Sequence, residues 1–210
     1  MRISIEAQDF NRLMYNAQLF SPAKGATGGR AYFDILQGGS LEMTACDDFV
    51  IVRDGAGFET DEYLDLQFIL ALADIKKLDV LTREIKEPIE LEISEGKLIL
   101  NPIDPKSDPE DLESVEVFDI GEPEGFWHSI VNLIEDDHPF AGRPDDLYLN
   151  PKRVAQISRM HLEGDHPIGL RYILNDSGEQ MLSFIYGPTI RGVITTQDVA
   201  HLEARGAYVW

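Results

Sequence analysis

Residues 147–174 read LYLNPKRVAQISRMHLEGDHPIGLRYIL. Leu147 and Leu149 flank Tyr148 at the period of two that a strand requires. Asn150 is a good helix N-cap. Pro151 then takes the first helical position, where its missing N–H costs nothing. Over 151–161, Val154, Ile157 and His161 share one side of the predicted helix, while Lys152, Arg153, Gln156 and Arg159 fall mostly on the other. Ile168–Leu174 alternates again, Asn175-Asp176-Ser177-Gly178 turns, Glu179–Tyr186 returns and Thr189–Thr195 adds a third strand. A strand therefore runs straight into a helix, and strands follow it.

The same order stands twice upstream. Ile3-Ser4-Ile5 leads into a helix over Asp9–Phe20, whose Phe10, Leu13, Met14, Ala17 and Phe20 form one apolar stripe. Residues 31–37, 40–46 and 49–53 then read as strands, broken by Gly38-Gly39 and Asp47-Asp48. Leu64-Asp65-Leu66 leads into a helix over Phe68–Leu81, with Lys76 and Lys77 off its apolar stripe. Pro88–Leu100 is a hairpin turning at Ser94-Glu95-Gly96, and Val115–Ile120 reads as a closing strand. Recurrence of one supersecondary unit points to an assembly of like modules. Between the second and third units, Glu124–Ile134 predicts a short helix carrying Phe126 and Trp127, an apolar pair better suited to packing than to stacking on bases. The stretches 102–113 and 136–146 read as loops.

The 18 bases and 38 acids give a net charge of −20, which argues against a polyanion as partner. Their placement argues otherwise. Between Asp104 and Asp137 stand twelve acids and one base, Lys106. The bases gather on or just after the three helices, at Arg12, Lys76, Lys77, Arg83, Lys86, Lys152, Arg153 and Arg159. Salt screens over roughly 8 Å, so a local basic surface can attract phosphate despite distant acids. No apolar run nears the roughly 18 residues that span a bilayer. The opening Met1–Glu6 lacks a secretory signal's apolar core. One cysteine, Cys46, excludes an intrachain disulfide. A soluble, cytoplasmic protein is expected.

This order of elements resembles the sliding DNA clamps, the ring-shaped processivity factors of replicative polymerases, and among them the bacterial and phage clamps. The residues carrying the resemblance are Ile3-Ser4-Ile5 with Phe10-Asn11-Arg12-Leu13, then Ser40–Asp48, and finally Leu147–His161 with Ile168–Leu174 and Thr189–Thr195. It covers roughly 1–120 and 147–195. It implies an α+β clamp fold of repeated strand–helix–strands modules, with outer antiparallel sheets and inner helices. Residues 1–120 would form one clamp-like domain and 121–210 a second, whose first half, 121–146, is reduced. It implies a ring of three or four identical subunits that encircles duplex DNA, binds a DNA polymerase and a clamp loader, and has no catalysis and no cofactor. Arg12, Lys76, Lys77, Lys152, Arg153 and Arg159 would face the DNA. Leu170, Tyr186, Pro188 and Val193 would form the partner-peptide groove.

Two other classes remain open at this stage. An acidic interaction protein or DNA mimic would account for the net charge, but has no use for Lys76, Lys77, Lys152, Arg153 and Arg159 on one face. A hydrolase would need a site, and none of the nucleophile, P-loop or dinucleotide signatures occurs. His161 and His166 flank Glu163 and Asp165, and His138 follows Asp136-Asp137, yet these spacings match no standard zinc pattern. Cys46, in a predicted strand, suits a buried inert thiol.

Overall fold

A computed structural model of the chain describes residues 1–60, 65–102, 116–135, 149–162, 164–174 and 178–196. The predicted loops at 103–113 and 136–146, the strand at Leu147-Tyr148, the turn at Asn175-Asp176-Ser177 and the tail from Asp198 lie outside these residues. Strand β1 (Arg2–Ile5), helix α1 (Ala7–Phe20) and strands β2 (Arg30–Leu36), β3 (Ser40–Cys46) and β4 (Val50–Glu59) form the first module. Strand β5 (Leu66–Ala71), helix α2 (Leu72–Thr82) and strands β6 (Ile89–Ser94), β7 (Lys97–Pro102) and β8 (Glu116–Asp119) repeat it. Helices α3 (Phe126–Glu135) and α4 (Pro151–Ile157) precede strands β9 (Ile168–Leu174), β10 (Gln180–Tyr186) and β11 (Ile190–Thr195).

All strand pairings are antiparallel, and the first two modules exchange their leading strands. The order β5-β2-β3-β4-β1-β6-β7-β8 puts β5 beside β2 of the first module and β1 beside β6 of the second. Neither module can complete its sheet alone. Strand β4 is the branch point: its Phe58 and Glu59 pair with β1, while Val50–Arg53 pair with β11. The third sheet, β9-β10-β11, is thereby fastened to the first. Gly192 sits at this seam, where an added Cβ would lie 2.2 Å from the Ile51 carbonyl oxygen and 2.5 Å from the Phe184 ring. Two strands can approach so closely there only because the residue has no side chain.

The core lies between the sheets and the helices. The predicted stripe of α1 is wholly buried, together with Ile3, Ile5, Phe33, Met43, Val52, Ile75, Leu78 and Leu91. From the third sheet, Leu182, Phe184, Ile190 and Ile194 join the same cluster. The turn between β6 and β7 places Glu95 and Gly96 at φ of 51° and 74°, the left-handed pair that a two-residue hairpin demands.

Three boundaries differ from the sequence reading by more than two residues. Phe68 belongs to β5, and α2 starts at Leu72. An apolar run such as FILAL satisfies both periods, and pairing with β2 decides it. Strand β4 continues through Gly55, Ala56 and Gly57, which lack strand propensity but are held by β3. Helix α4 stops at Ile157, so Arg159 and His161 lie beyond it. No helix among the described residues is long and apolar enough to cross a membrane.

Candidate nucleic-acid interface

Helix α1 is the middle of a three-helix layer. At about 100° per residue, Asn11 and Gln18 fall on one flank of it, and Arg12 and Asn16 on the other. The first flank meets α2: the Asn11 amide donates to the Asp79 carbonyl at 2.7 Å, and Gln18 donates to the Asp79 carboxylate at 3.1 Å. The second flank meets α4 and the turn behind it. Gln156 donates to the Leu19 carbonyl at 2.5 Å. The Asn16 amide donates to the His161 carbonyl at 3.1 Å, and the His161 N–H donates back at 2.9 Å. Gln8 and the half-buried Tyr15 are left on the outward strip. The Tyr15 ring meets that of His161 edge-on, at 6.1 Å.

The six cations expected to face DNA are not equivalent. Arg12 is only 7% exposed and lies inside the fold, not on its surface. Its guanidinium donates to the Gly55 carbonyl at 2.8 Å and to the Thr189 hydroxyl at 3.3 Å, and sits 3.6 Å from the Asp54 carboxylate. Asp54 is completely buried and also accepts from Asn16 at 2.8 Å. Burial pushes the Asp54 carboxyl above the usual carboxylate range, against the opposing pull of Arg12. This network ties α1 to β4 and to the turn between β10 and β11. A guanidinium so engaged is not presented to a phosphate.

The other five lie on the two flanking helices or just after them. Lys76 is exposed on α2. Lys77, one position round, reaches Glu116 of β8 at 2.5 Å and lies 5.3 Å over the Phe118 ring. Lys152 is exposed at the start of α4 and Arg159 in the turn after it. Arg153 pairs with the buried Asp47 and stacks on Phe49 at 4.7 Å, which clasps α4 to the turn between β3 and β4. Arg83, beyond α2, pairs with Asp79 at 2.6 Å. Lys76, Lys152 and Arg159 have no ion pair among the described residues.

The opposite face of the sheets is partly covered. Arg53, buried on that side, pairs with Glu42 and lies 3.6 Å from Asp34. Burial raises the Asp34 carboxyl, with Arg53 pulling the other way. Helix α3 lies over this face. Its Trp127 is fully buried and stacks on Tyr32 at 5.9 Å. Its Leu133 and Ile134 pack on Ile173, Met181 and Val193. The Phe126-Trp127 pair is thus packing, with the two rings 5.1 Å apart.

The four residues expected to form one peptide groove are divided by the third sheet. Leu170 pairs with Phe184, and Tyr186 pairs with Ile168, so both point to the core side, where Leu170 is 58% exposed at the sheet edge. Val193 is one residue out of phase with Gly192, the partner of Phe184, and so faces the other way, beneath α3. Pro188 lines a separate cleft of about 410 Å³ between the branch of β4 and the turn after β10, with Glu42, Gly55, Ile185 and Arg191. Sequence reading passed over Ile185, which is 60% exposed there, because strand alternation does not say which face stays uncovered.

Burial pushes the Cys46 thiol up to about 11, away from the thiolate that a nucleophile needs. Among the described residues no three His, Cys, Asp or Glu side chains converge as metal ligands do; Glu163 and His138 lie outside them.

No family model matches the sequence, and no curated protein does. Solved structures do match. The polymerase III beta chain of Caulobacter crescentus superposes with a TM-score of 0.62 at 11% identity, over 94% of this chain and 66% of that one. The Helicobacter pylori beta clamp bound to a DNA ligase peptide gives 0.62 at 12% identity, over 94% and 67%. The polymerase beta subunit of Streptococcus pyogenes gives 0.63 at 8% identity, over 96% and 67%. The chain spans about two thirds of the length of these clamps. What their likeness establishes is architecture: this chain has the fold of the bacterial beta sliding clamps.

Proposed function

We propose that the chain is a sliding clamp without catalytic activity, several copies of which close around duplex DNA and tether a DNA polymerase in the cytoplasm. The observation that carries this reading is the helix layer, where Lys76 on α2, Lys152 on α4 and Arg159 in the turn after α4 are exposed without ion pairs among the described residues. The acids Glu42, Glu90 and Glu92 lie on strands outside that layer. Cations on a smooth helical face meet phosphates without reading bases, which suits sliding. Arg12 is not part of that surface, and Lys77 and Arg153 join it only by leaving their carboxylate partners.

Ring closure would be head to tail, since one surface must meet a different one on the next copy. Strands β8 and β9 supply two such edges, with Val117 51% exposed on one and Leu170 58% exposed on the other. The ring would contain three or four copies, each made of the units 1–120 and 121–210. The cleft at Ile185 and Pro188 would take the polymerase or clamp-loader peptide, as the Helicobacter pylori clamp takes a DNA ligase peptide.

The experiment is polymerase extension on a primed circular template with its loader. Lys76→Glu, Lys152→Glu and Arg159→Glu together should abolish stimulation while leaving the melting temperature unchanged. Full stimulation by that variant would refute the DNA-facing assignment. Binding to short linear duplex should be weak and fall steeply with salt.

A further inference from the structure

A second cleft, of about 490 Å³, lies in the second module, where β5 meets the turn between β6 and β7 and the end of β8. One wall is a strand edge left open among the described residues. Ile69 of β5 and Gly121 exchange both backbone hydrogen bonds, at 2.9 and 3.0 Å. In an antiparallel ladder the next bonded position lies two residues along, so Gln67 would face Pro123. Proline has no N–H to donate, and the ladder stops. The backbone N–H and C=O of the exposed Gln67 therefore point away from β2 into the cleft. Its floor is apolar, made by Leu66, Phe68, Ile93 and Ile120. Its rim carries three exposed carboxylates, Asp65, Glu95 and Glu122, which outnumber the one lining cation, the Met1 ammonium that donates to the Ile93 carbonyl at 3.2 Å.

We infer that this cleft receives a short extended segment of a partner protein in which basic and apolar residues alternate. The backbone of the segment would pair with Gln67 as an added strand, its apolar side chains would fill the floor and its cations would meet the rim. A strand edge supplies pairing, and the alternation of side chains supplies selectivity. The cleft is distinct from the one at Ile185 and Pro188, and the inference holds whether or not the chain forms a ring.

The test uses the full chain and a fluorescein-labelled hexapeptide alternating lysine with leucine, read by anisotropy. Saturable binding is expected, with slowed hydrogen exchange at the Gln67 amide of the unmodified protein. Asp65→Lys with Glu122→Lys should weaken binding by about tenfold or more. Glu84→Lys with Glu87→Lys changes the net charge equally at exposed positions outside the cleft and should stay within about twofold. The inference is overturned if both pairs weaken binding alike, if a glutamate–leucine hexapeptide binds as well, or if Gln67 exchange is unaltered at saturation. A change of oligomeric mass in the Asp65→Lys, Glu122→Lys variant would also overturn it, by assigning the cleft to a second copy.

Discussion

Arg12 and Lys76 look alike as cations on helices, yet their surroundings give them opposite roles. Truncating Arg12 leaves the buried Asp54 carboxylate without its guanidinium, and removing one partner of a buried pair costs about 3–5 kcal/mol. Lys76 is exposed, where substitutions usually stay within about 0.5 kcal/mol. Urea unfolding of Arg12→Ala and Lys76→Ala should separate them by that margin. Asp34 supplies a second check at this scale. Its folded-state carboxyl is raised by burial, so the folded protein holds a proton that the unfolded chain releases. The stability it contributes is fully present below the unfolded value of about 3.9 and is lost as pH rises through the raised folded value. Asp34→Asn should therefore flatten the fall in urea midpoint as pH rises from 4 toward neutrality. An unchanged pH profile would contradict the burial argument.

The elements depend on one another through β4, which pairs with β3 along one side and with β11 and then β1 along the other. Gly192 keeps that seam closed. Gly192→Ala would press a methyl group against the Ile51 carbonyl oxygen and the Phe184 ring, an overpacking expected to cost about 1–3 kcal/mol. Hydrogen exchange should show the loosening at β11 and the first half of β4, with β6 and β7 unaffected. Uniform loss of protection over all strands would mean that the third sheet unfolds together with the first two. At this scale the sequence was largely legible. Alternation marked β1, β6, β7 and β9, and the apolar stripe marked α1. Phe68–Leu72 was not legible, since a short apolar run fits either period, and neither was the glycine-bearing half of β4, whose pairing is with residues distant in the chain.

For the whole molecule, the proposed ring depends on two strand edges at separate places on the chain. Leu170→Asp puts a charge on the exposed edge of β9 and leaves the core intact, since Leu170 is 58% exposed. Sedimentation should show a trimer or tetramer for the unmodified chain and smaller species for the variant. An unmodified chain that stays monomeric at high micromolar concentration would exclude the ring. The helix layer sets the charge pattern at this scale too, because α2 and α4 flank α1 and carry the exposed Lys76 and Lys152, whereas the one cation of α1, Arg12, turns inward.

Sequence by itself determined the recurrence of strand, helix and strands, the buried stripe of α1, the capped start of α4 and the gathering of bases around the helices. These follow from local periodicity and local backbone chemistry, which a few neighbouring residues suffice to express. Tertiary structure alone decided that Arg12 is an internal fastener, that Val193 lies under α3 on the far side of the sheet from Leu170, and that Pro123 leaves the edge of β5 open among the described residues. Each of these depends on residues that meet across long stretches of chain, and no period in the sequence encodes which face of a sheet another element will cover.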